Sequence, residues 1–275
     1  MMETTMDILP DLDNRYEIQG EQVQEFERNG HVQTLDLLNE QEITVYQRVI
    51  SSAVNRFNDE KRSLAERDTY GKAFLQIMNL WRVDESVKKF VLAKRFAYIA
   101  AKLLGVENVR LYHDQALFKE PGGGPTPWHQ DQNYWPLAAN KTITMWMPLV
   151  DIPNPDMGML TFASGSHREG AVSDLVISDE SEDAFEQYVR QHRFPLVRPA
   201  ALKAGDATWH NGFTIHNAPG NEGQRMREVM TIIYYADGTR IAPPQHSFQE
   251  NDLKTWLGNK APGSLADSDL NPLLL

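Results

Sequence analysis

Two potential metal ligands, His129 and Asp131, lie one residue apart in the segment PWHQDQNYW. If Trp128 to Gln132 is extended, side chains at positions i and i+2 project from the same face, so one ion can contact both while Gln130 points away. The chain has no cysteine, which excludes disulfides, thiolate metal sites and a cysteine nucleophile. A metal would therefore be bound by histidine and carboxylate side chains, which suits metals with mixed nitrogen and oxygen ligands.

A third ligand is needed for a specific site, because a pair with this spacing often arises by chance. His210 and His216 lie in the later segment DATWHNGFTIHNAP. Their even separation puts both on one face of a regular strand, and at most one of them needs to be a ligand; the segment that follows His216 separates the two. After a turn-forming segment, the next strand is predicted to start at Arg227 and to form a hairpin with the His216 strand. A hairpin would bring Arg227 near the histidine, where an arginine can pair bidentately with a carboxylate.

The front third of the chain is predicted to be largely helical. Apolar residues at helical spacing, with a capping box at Asn39 and Glu42, predict a helix over Asn39 to Asp59. A second predicted helix covers Asp84 to Gly105, where the glycine suits the C-terminal cap.

After Gly105 the sequence changes to short apolar or alternating runs, such as VRLYHDQALF, TITMWMPLVDI and EVMTIIYYA. Segments rich in turn formers separate them, which predicts a sandwich or barrel of antiparallel strands. We predict one domain over residues 1–275, with a helical part to about 105, a β core from about 106 to 241 and a C-terminal tail from 242 to 275.

Residues 173–192 interrupt the strand pattern and carry six acidic residues. A short helix is predicted around Ala184 to Gln191. The segment is either a solvated acidic insertion or a lid over a pocket, and the sequence leaves both interpretations open.

The formal net charge is -11 and the isoelectric point is near 5.2. These values argue against a broad nucleic-acid surface, because affinity for phosphate backbones depends on clusters of lysine and arginine. The amino terminus lacks the layout of a secretory signal, and no apolar run approaches the about 20 residues that cross a bilayer. We therefore predict a cytoplasmic protein whose partner is a small-molecule substrate, with no nucleic-acid and no membrane partner; the oligomeric state is left open.

Five ordered segments resemble the phytanoyl-CoA dioxygenase family of Fe(II)- and 2-oxoglutarate-dependent oxygenases: WHQDQNYW, ITMWMPLVD, GMLTFASGSH, AGDATWHNGFTIHNAPGN and QRMREVMTIIYY. The resemblance runs from about Asn108 to Tyr235, and VQEFERNGHVQTLDLLNEQEI resembles the family's amino-terminal segment. It implies a mainly β fold with flanking helices, in which a double-stranded β-helix (jelly-roll, cupin-like) core follows an α-helical N-terminal third. It also implies Fe(II), 2-oxoglutarate as cosubstrate and O2, with ascorbate as the reductant in vitro.

Matched position by position, the resemblance implies that His129, Asp131 and His216 are the iron ligands. It also implies that Arg227, and not Arg225, binds the distal carboxylate of 2-oxoglutarate. Two imidazoles and one carboxylate form the facial triad of non-haem iron oxygenases, which leaves the remaining positions open for the oxo acid and oxygen.

Further residues are expected near the cosubstrate. Trp146 matches a position that lines the cosubstrate pocket in the family. Lys119 and Gln115 lie on the strand before the glycine-rich segment, where the family often has polar groups that face the site. His210 is expected to support the site or the core without binding the metal.

The implied reaction is oxidation of an unactivated C–H bond of a small molecule, with release of succinate and CO2. Hydroxylation is the expected outcome, because related halogenating enzymes have a small residue at the position of Asp131, and a secondary metabolite is the expected substrate. Two other functions are considered: a metal-dependent isomerase or hydrolase on the same barrel, and a non-catalytic binding module. The spacing of Arg227 from His216 argues against the first, and the complete ligand set argues against the second.

Overall fold

The computed structural model describes residues 9–173 and 175–275, and the predictions for residues 1–8 and for Asp174 lie outside the described residues. The helices are α1 (Gly20–Asn29), α2 (Glu40–Phe57), α3 (Thr69–Ala73), α4 (Glu85–Val91), α5 (Lys94–Leu104), α6 (Asp179–His192) and α7 (Ser247–Trp256). The strands are β1 (His31–Thr34), β2 (Leu75–Met78), β3 (Val109–Phe118), β4 (Thr126–His129), β5 (Thr142–Pro148), β6 (Thr161–Ala163), β7 (Leu196–Val197), β8 (Ala207–Asn211), β9 (His216–Ala218) and β10 (Val229–Ala236).

The strands form two antiparallel sheets, which confirms the predicted jelly-roll class. The larger sheet has six strands in the order β1-β8-β5-β10-β3-β2, and the smaller has four in the order β4-β9-β6-β7. Trp146 and Val229 from the larger sheet pack in one buried apolar cluster with Phe162 and Ala218 from the smaller sheet. The two sheets therefore face each other across a shared core.

Strand alternation on β5 separates the core from the interior of the sandwich. Met145 and Met147 pack in the main apolar cluster with residues of α2, α4 and α5. Thr144 and Trp146, the intervening residues, line a cavity between the sheets. Because successive side chains of a strand point to opposite faces, the helices cover the outer face of the larger sheet and leave its inner face to the cavity. Within the described ranges, no helix is both long and apolar enough to cross a membrane.

The predicted helices are present, with one difference. Helix α2 starts at the predicted capping box, where the Glu42 N–H donates to Asn39 Oδ1 at 3.0 Å. The predicted helix from Asp84 to Gly105 is two helices, α4 and α5, because the chain turns after Val91. No glycine or proline marks this turn, so the continuous apolar pattern did not reveal it. Gly105 ends α5 at a φ of 61°, a left-handed conformation that suits glycine.

The front third also contributes strands, which the sequence analysis did not predict. Strand β1 pairs with β8 and strand β2 pairs with β3, and both lie at the edges of the larger sheet. Each has four residues. A run this short has too few alternations to distinguish a strand from a loop.

The predicted hairpin between the His216 strand and the Arg227 strand is wrong. Strand β9 pairs with β4 and β6 in the smaller sheet, whereas β10 pairs with β3 and β5 in the larger sheet. The segment that holds His210 and His216 is likewise two strands, β8 and β9, in different sheets. The chain crosses between them at Gly212, where a Cβ would lie 2.4 Å from Thr142 Oγ1, so only glycine fits the crossing.

Candidate active site

Three side chains from distant parts of the chain converge between the sheets. His129 ends β4 and lies opposite His216, the first residue of β9, in the pairing of these strands. Strand β4 ends at His129, Gln130 keeps an extended backbone, and Asp131 begins a 3-10 helix, so the side chains of His129 and Asp131 reach the same place. Asp131 Oδ1 lies 3.4 Å from His129 Nε2 and 3.7 Å from His216 Nε2. One potential ligand atom of each residue lies within 4.8 Å of the other two, so the group could hold a metal ion.

Hydrogen bonds to the backbone determine which imidazole nitrogen is available in each ring. His129 Nδ1 donates to the Pro127 carbonyl at 2.8 Å, and His216 Nδ1 donates to the Thr214 carbonyl at 2.9 Å. A carbonyl only accepts, so each Nδ1 carries the hydrogen and each neutral ring presents the lone pair of Nε2. Metal-bound histidines commonly donate their second nitrogen in this way.

The chemistry of the three groups requires a cation between them. The Asp131 carboxylate faces two Nε2 lone pairs, and electron-pair donors at such distances repel one another unless a positive ion or a proton lies between them. Burial lowers the pKa of His216 well below its ordinary value, and the neighbouring His129 and His210 lower it further, which disfavours a proton there. A metal ion fits this donor set.

The second carboxylate oxygen of Asp131 is held by two partners. Thr144 Oγ1 donates to Asp131 Oδ2 at 2.7 Å, and His210 Nε2 donates to the same oxygen at 3.1 Å. Thr144 and His210 lie opposite each other in the pairing of β5 with β8. Burial disfavours the charged carboxylate, but the surrounding histidines outweigh it and hold the pKa of Asp131 well below its usual range. Asp131 is therefore ionised, with Oδ1 directed to the two rings.

Arg227 lies just before β10, is 2% exposed and lines the same cavity. Its Nη1 donates to the Gly158 carbonyl at 3.0 Å and its Nη2 donates to the Leu117 carbonyl at 2.9 Å, while Nε has no hydrogen-bond partner. The guanidinium lies 5.4 Å from the centre of the Trp146 ring. Burial lowers the pKa of Arg227 to about 9, so it stays charged at neutral pH. Arg225 is exposed, as expected for the alternative arginine.

Arg227 has no acidic partner in the described part of the chain. A buried cation without a counter-ion is unfavourable, because removing its charge from water costs on the order of several kcal/mol. The missing partner is a carboxylate or another anion, and a guanidinium fork fits a carboxylate with two parallel hydrogen bonds.

The remaining predicted residues lie around Arg227. Trp146 and Gln115 line the cavity, and Gln115 Oε1 accepts a hydrogen bond from Gln76 Nε2 at 2.6 Å. Lys119 forms an isolated antiparallel bridge with Arg227 and is fully buried, and its Nζ donates to the Gly124 carbonyl and to Thr126 Oγ1. Burial and the neighbouring Arg227 lower the pKa of Lys119 to about 6. The structure thus places Lys119 behind the cavity lining and the other two residues on it.

The cavity has a volume of about 520 Å³ and is lined by two kinds of segment. We call the following lining residues, which lie on or next to β4, β5, β9 and β10 and include the metal-ligand candidates, the inner wall: Thr126, His129, Asp131, Thr144, Trp146, His216 and Arg227. We call the following lining residues, which lie on or next to α3, α6 and α7, the outer wall: Tyr70, Phe74, Ile177, Phe248, Asp252 and Trp256. No residue of the outer wall was predicted from the sequence.

Part of the outer wall comes from α7, inside the segment predicted as a C-terminal tail. Phe248, Asp252 and Trp256 are spaced four residues apart and therefore share one face of the helix. This spacing was visible in the sequence. Without the fold, however, nothing indicated that the face is directed to the cavity.

The acidic segment 173–192 contributes to the cavity as well. Its helix α6 is longer than predicted and buries Phe185 and Val189 in a cluster with Trp128. Ile177 lines the cavity, and its N–H donates to Tyr134 Oη at 2.8 Å. The segment is therefore packed against the β core and forms part of the cavity lining.

The fold and the site agree with a known family. Residues 26–229 match the family model described as phytanoyl-CoA dioxygenase (PhyH). The chain belongs to the phytanoyl-CoA dioxygenase family. The match confirms the predicted family, and His129, Asp131 and His216 could hold the metal ion that the prediction requires.

Individual relatives add detail. The chain is 29% identical over 137 residues to a methylphosphonate hydroxylase of Gimesia maris, an alignment that covers 50% of this chain and 49% of the relative. The structure is similar to that of the carbocyclase SnoK from nogalamycin biosynthesis, with a TM-score of 0.76, 23% identity and coverage of 93% of this chain and 96% of that chain. The epimerase SnoN, in complex with Fe3+, alpha ketoglutarate and nogalamycin RO, gives a TM-score of 0.75 at 23% identity and coverage of 93% and 98%. The alignment spans about half the length of the curated relative, and the structural likenesses show a shared fold.

Proposed function

We propose that this protein oxidises, by hydroxylation, an unactivated C–H bond of a small molecule such as a secondary metabolite, and releases succinate and CO2 from 2-oxoglutarate. In this proposal His129, Asp131 and His216 bind Fe(II), and Arg227 binds the distal carboxylate of 2-oxoglutarate. Trp146 and Gln115 contact the cosubstrate, and Lys119 supports the position of Arg227.

One observation carries the proposal. Two imidazoles and a carboxylate that could share one metal ion line the same cavity as a buried guanidinium that lacks an acidic partner in the described residues. A metal hydrolase or isomerase has no use for such a guanidinium, whereas a dicarboxylate cosubstrate supplies the missing anion. The pairing of a metal-ligand set with an unpaired arginine therefore favours the oxygenase over the alternatives.

The protein's contribution is to hold these groups in place. The Nδ1 hydrogen bonds of His129 and His216 keep each Nε2 lone pair directed to the metal position. Thr144 and His210 occupy one oxygen of Asp131 and leave the other for the metal. Fe(II), bound together with 2-oxoglutarate, would supply the chemistry that activates oxygen and oxidises the C–H bond.

The cavity supports a small-molecule substrate. With a volume of about 520 Å³ it has room for 2-oxoglutarate and a compact second compound. The aromatic and aliphatic side chains of the outer wall would exclude water from the reacting groups. The methylphosphonate hydroxylase that the chain resembles is consistent with this substrate size, because methylphosphonate is a small molecule.

The test is an anaerobic titration of the purified protein with Fe(II) and then with 2-oxoglutarate, followed by exposure to oxygen. We expect a visible charge-transfer absorption band when both are bound, and slow succinate release after oxygen is added. His129→Ala should lose the band, whereas His192→Ala, an exposed histidine on α6, should keep it. Metal binding without a band or succinate would indicate a non-oxidative enzyme, and absence of metal binding would indicate a binding module.

A further inference from the structure

The charged residues that line the cavity are unequally distributed. Arg227 is the one lysine or arginine among the lining residues, whereas three aspartates line it, Asp68, Asp131 and Asp252. Arg227 and Asp131 serve the cosubstrate and the metal in the proposed function. The part of the cavity that remains for a substrate therefore contains carboxylates and no lysine or arginine.

Asp252 is the carboxylate at the centre of the outer wall. It lies on α7 and accepts a hydrogen bond from Tyr112 Oη at 2.8 Å. No lysine or arginine of the described chain forms an ion pair with it. Burial raises its pKa to about 7, which shows that its charge is poorly compensated. A positive ligand group would supply the missing compensation.

Aromatic residues line the same cavity as this carboxylate. Phe248 and Trp256 lie on the same helix face, and Tyr70 and Tyr134 also line the cavity. Phe248 meets Tyr134 edge to face, with ring centres 6.1 Å apart. Ring faces attract cations through their quadrupole, and aromatic cages are the usual binding sites of ammonium groups.

His113 adds a buried ring nitrogen without a hydrogen-bond partner to the same region. It is 2% exposed, lines the cavity and packs against Trp256 with ring centres 5.6 Å apart. Its Nδ1 has no hydrogen-bond partner. Burial lowers the pKa of His113 to about 3, so the ring is neutral and cannot balance a negative ligand. It can orient an N–H group but provides no charge for an anion.

We propose that the outer wall binds a positively charged nitrogen, so that the substrate is a small primary amine or ammonium compound with Asp252 as its counter-ion. The inference rests on the proposed function, since it names the substrate class of the same site. The proposed substrate class also differs from that of the methylphosphonate hydroxylase that this chain resembles. A phosphonate carries up to two negative charges, and the outer wall has a carboxylate, Asp252, in place of the cations that would bind them.

The test measures charge preference with matched probes. Butyl and 2-phenylethyl compounds ending in an ammonium, a hydroxyl or a phosphonate group are titrated by calorimetry into protein loaded anaerobically with Fe(II) and 2-oxoglutarate. We expect the ammonium compounds to bind about tenfold or more tightly than the alcohols, as one ion pair within an aromatic cage implies. The phosphonates should bind most weakly.

Asp252→Asn removes the charge and keeps an oxygen that can accept from Tyr112 Oη, so it should abolish the ammonium preference and leave alcohol binding within about twofold. Glu250→Gln removes an exposed charge of the same helix outside the cavity lining and should keep the preference. Equal binding of ammonium and alcohol, tightest binding of phosphonate, or an unchanged preference in Asp252→Asn would each overturn the inference.

The same titrations on metal-free protein separate this inference from the proposed function. If no absorption band forms with Fe(II) and 2-oxoglutarate but the ammonium preference is present, the oxygenase is refuted and the cation site is retained. An intact band without charge preference would refute the cation site alone.

Discussion

The inner and outer walls of the cavity are built from different kinds of backbone. On the inner wall, His129 and His216 lie on paired strands, and Arg227 is bridged to the end of β3. On the outer wall, the residues come from α3, α7 and the segment before α6. Arg227 is 2% exposed, whereas Phe248 is 49% exposed. The two histidine ligand candidates thus lie on paired strands, and the groups that would select the substrate lie on or next to helices.

This difference has a physical basis. The backbone hydrogen bonds that join β4 to β9 hold His129 and His216 opposite each other, which favours the narrow geometry that metal binding requires. A helix packed on the rim can vary in sequence and position without disturbing that geometry. Substitutions on the inner wall are therefore expected to change metal and cosubstrate binding, and those on the outer wall to change ligand preference.

The largest effect is expected from Asp131→Ala. It removes the only carboxylate of the metal-ligand group and should abolish iron binding and succinate formation, while circular dichroism shows an intact fold. Asp156→Ala, at an exposed position away from the cavity, is the control. Wild-type turnover in Asp131→Ala would show that the metal-ligand candidates of the inner wall are not needed for the reaction.

Arg227→Met should weaken 2-oxoglutarate binding by about 100-fold, the equivalent of about 2.7 kcal/mol for a charge-assisted bidentate pair. Iron binding in the absence of 2-oxoglutarate should stay the same, because Arg227 is not among the metal-ligand candidates. Arg225→Met is the matched control at an exposed arginine two residues earlier. Equal effects of the two variants on the calorimetric affinity would contradict the assignment.

Thr144→Val should weaken iron binding by about 10- to 100-fold, the usual effect of removing a group that orients a metal ligand. The hydroxyl that it removes donates to Asp131 Oδ2. Thr142→Val removes a comparable hydroxyl on the same strand, one that donates to Gln132 Oε1 at 2.6 Å, and should leave iron affinity unchanged. A similar loss in both variants would indicate general damage to β5 and not a role in orienting Asp131.

The smallest effect concerns the pH dependence of stability. Because burial raises the pKa of Asp252 to about 7, the folded protein retains a proton that the unfolded chain releases near pH 4, as expected for an ordinary aspartate. The folded state therefore becomes less stable as pH rises from about 4 to 7. The free energy of unfolding of Asp252→Asn, measured relative to wild type, should be about 1–2 kcal/mol higher at pH 8 than at pH 4.5. Thermal melts of this variant, wild type and Glu250→Gln across that range measure it. A pH-independent difference between wild type and Asp252→Asn would show that the outer-wall carboxylate is well solvated.

Local features of the sequence were predictable. The capping box at Asn39, the glycine that ends α5 and the strands of the β core all depend on residues close together in the chain. The split between α4 and α5 was not predictable, because the apolar pattern continues through the turn. The edge strands β1 and β2 were missed because pairing with β8 and β3, not their own composition, makes them strands.

The candidate site divides in the same way. The metal-ligand group was predicted from the resemblance, which supplied the choice of His216 over His210 that spacing alone left open. Thr144 was not predicted, because its role depends on lying opposite His210 and beside Asp131. Asp252 was not predicted, because its position depends on how α7 packs against the barrel.

The amino-acid sequence alone determined the donor types, the capped helix α2 and the apolar runs that form the strands of the β core. Only the tertiary structure decided that His129 lies opposite His216. It also decided that Arg227, next to the larger sheet, lines the same cavity without an acidic partner in the described residues, and that Asp252 lines this cavity too. The physical reason is that periodicity along a chain reports which side of an element avoids water. Strand pairing and packing between residues far apart in the sequence select the element that covers that side. The site forms only where these contacts bring its residues together.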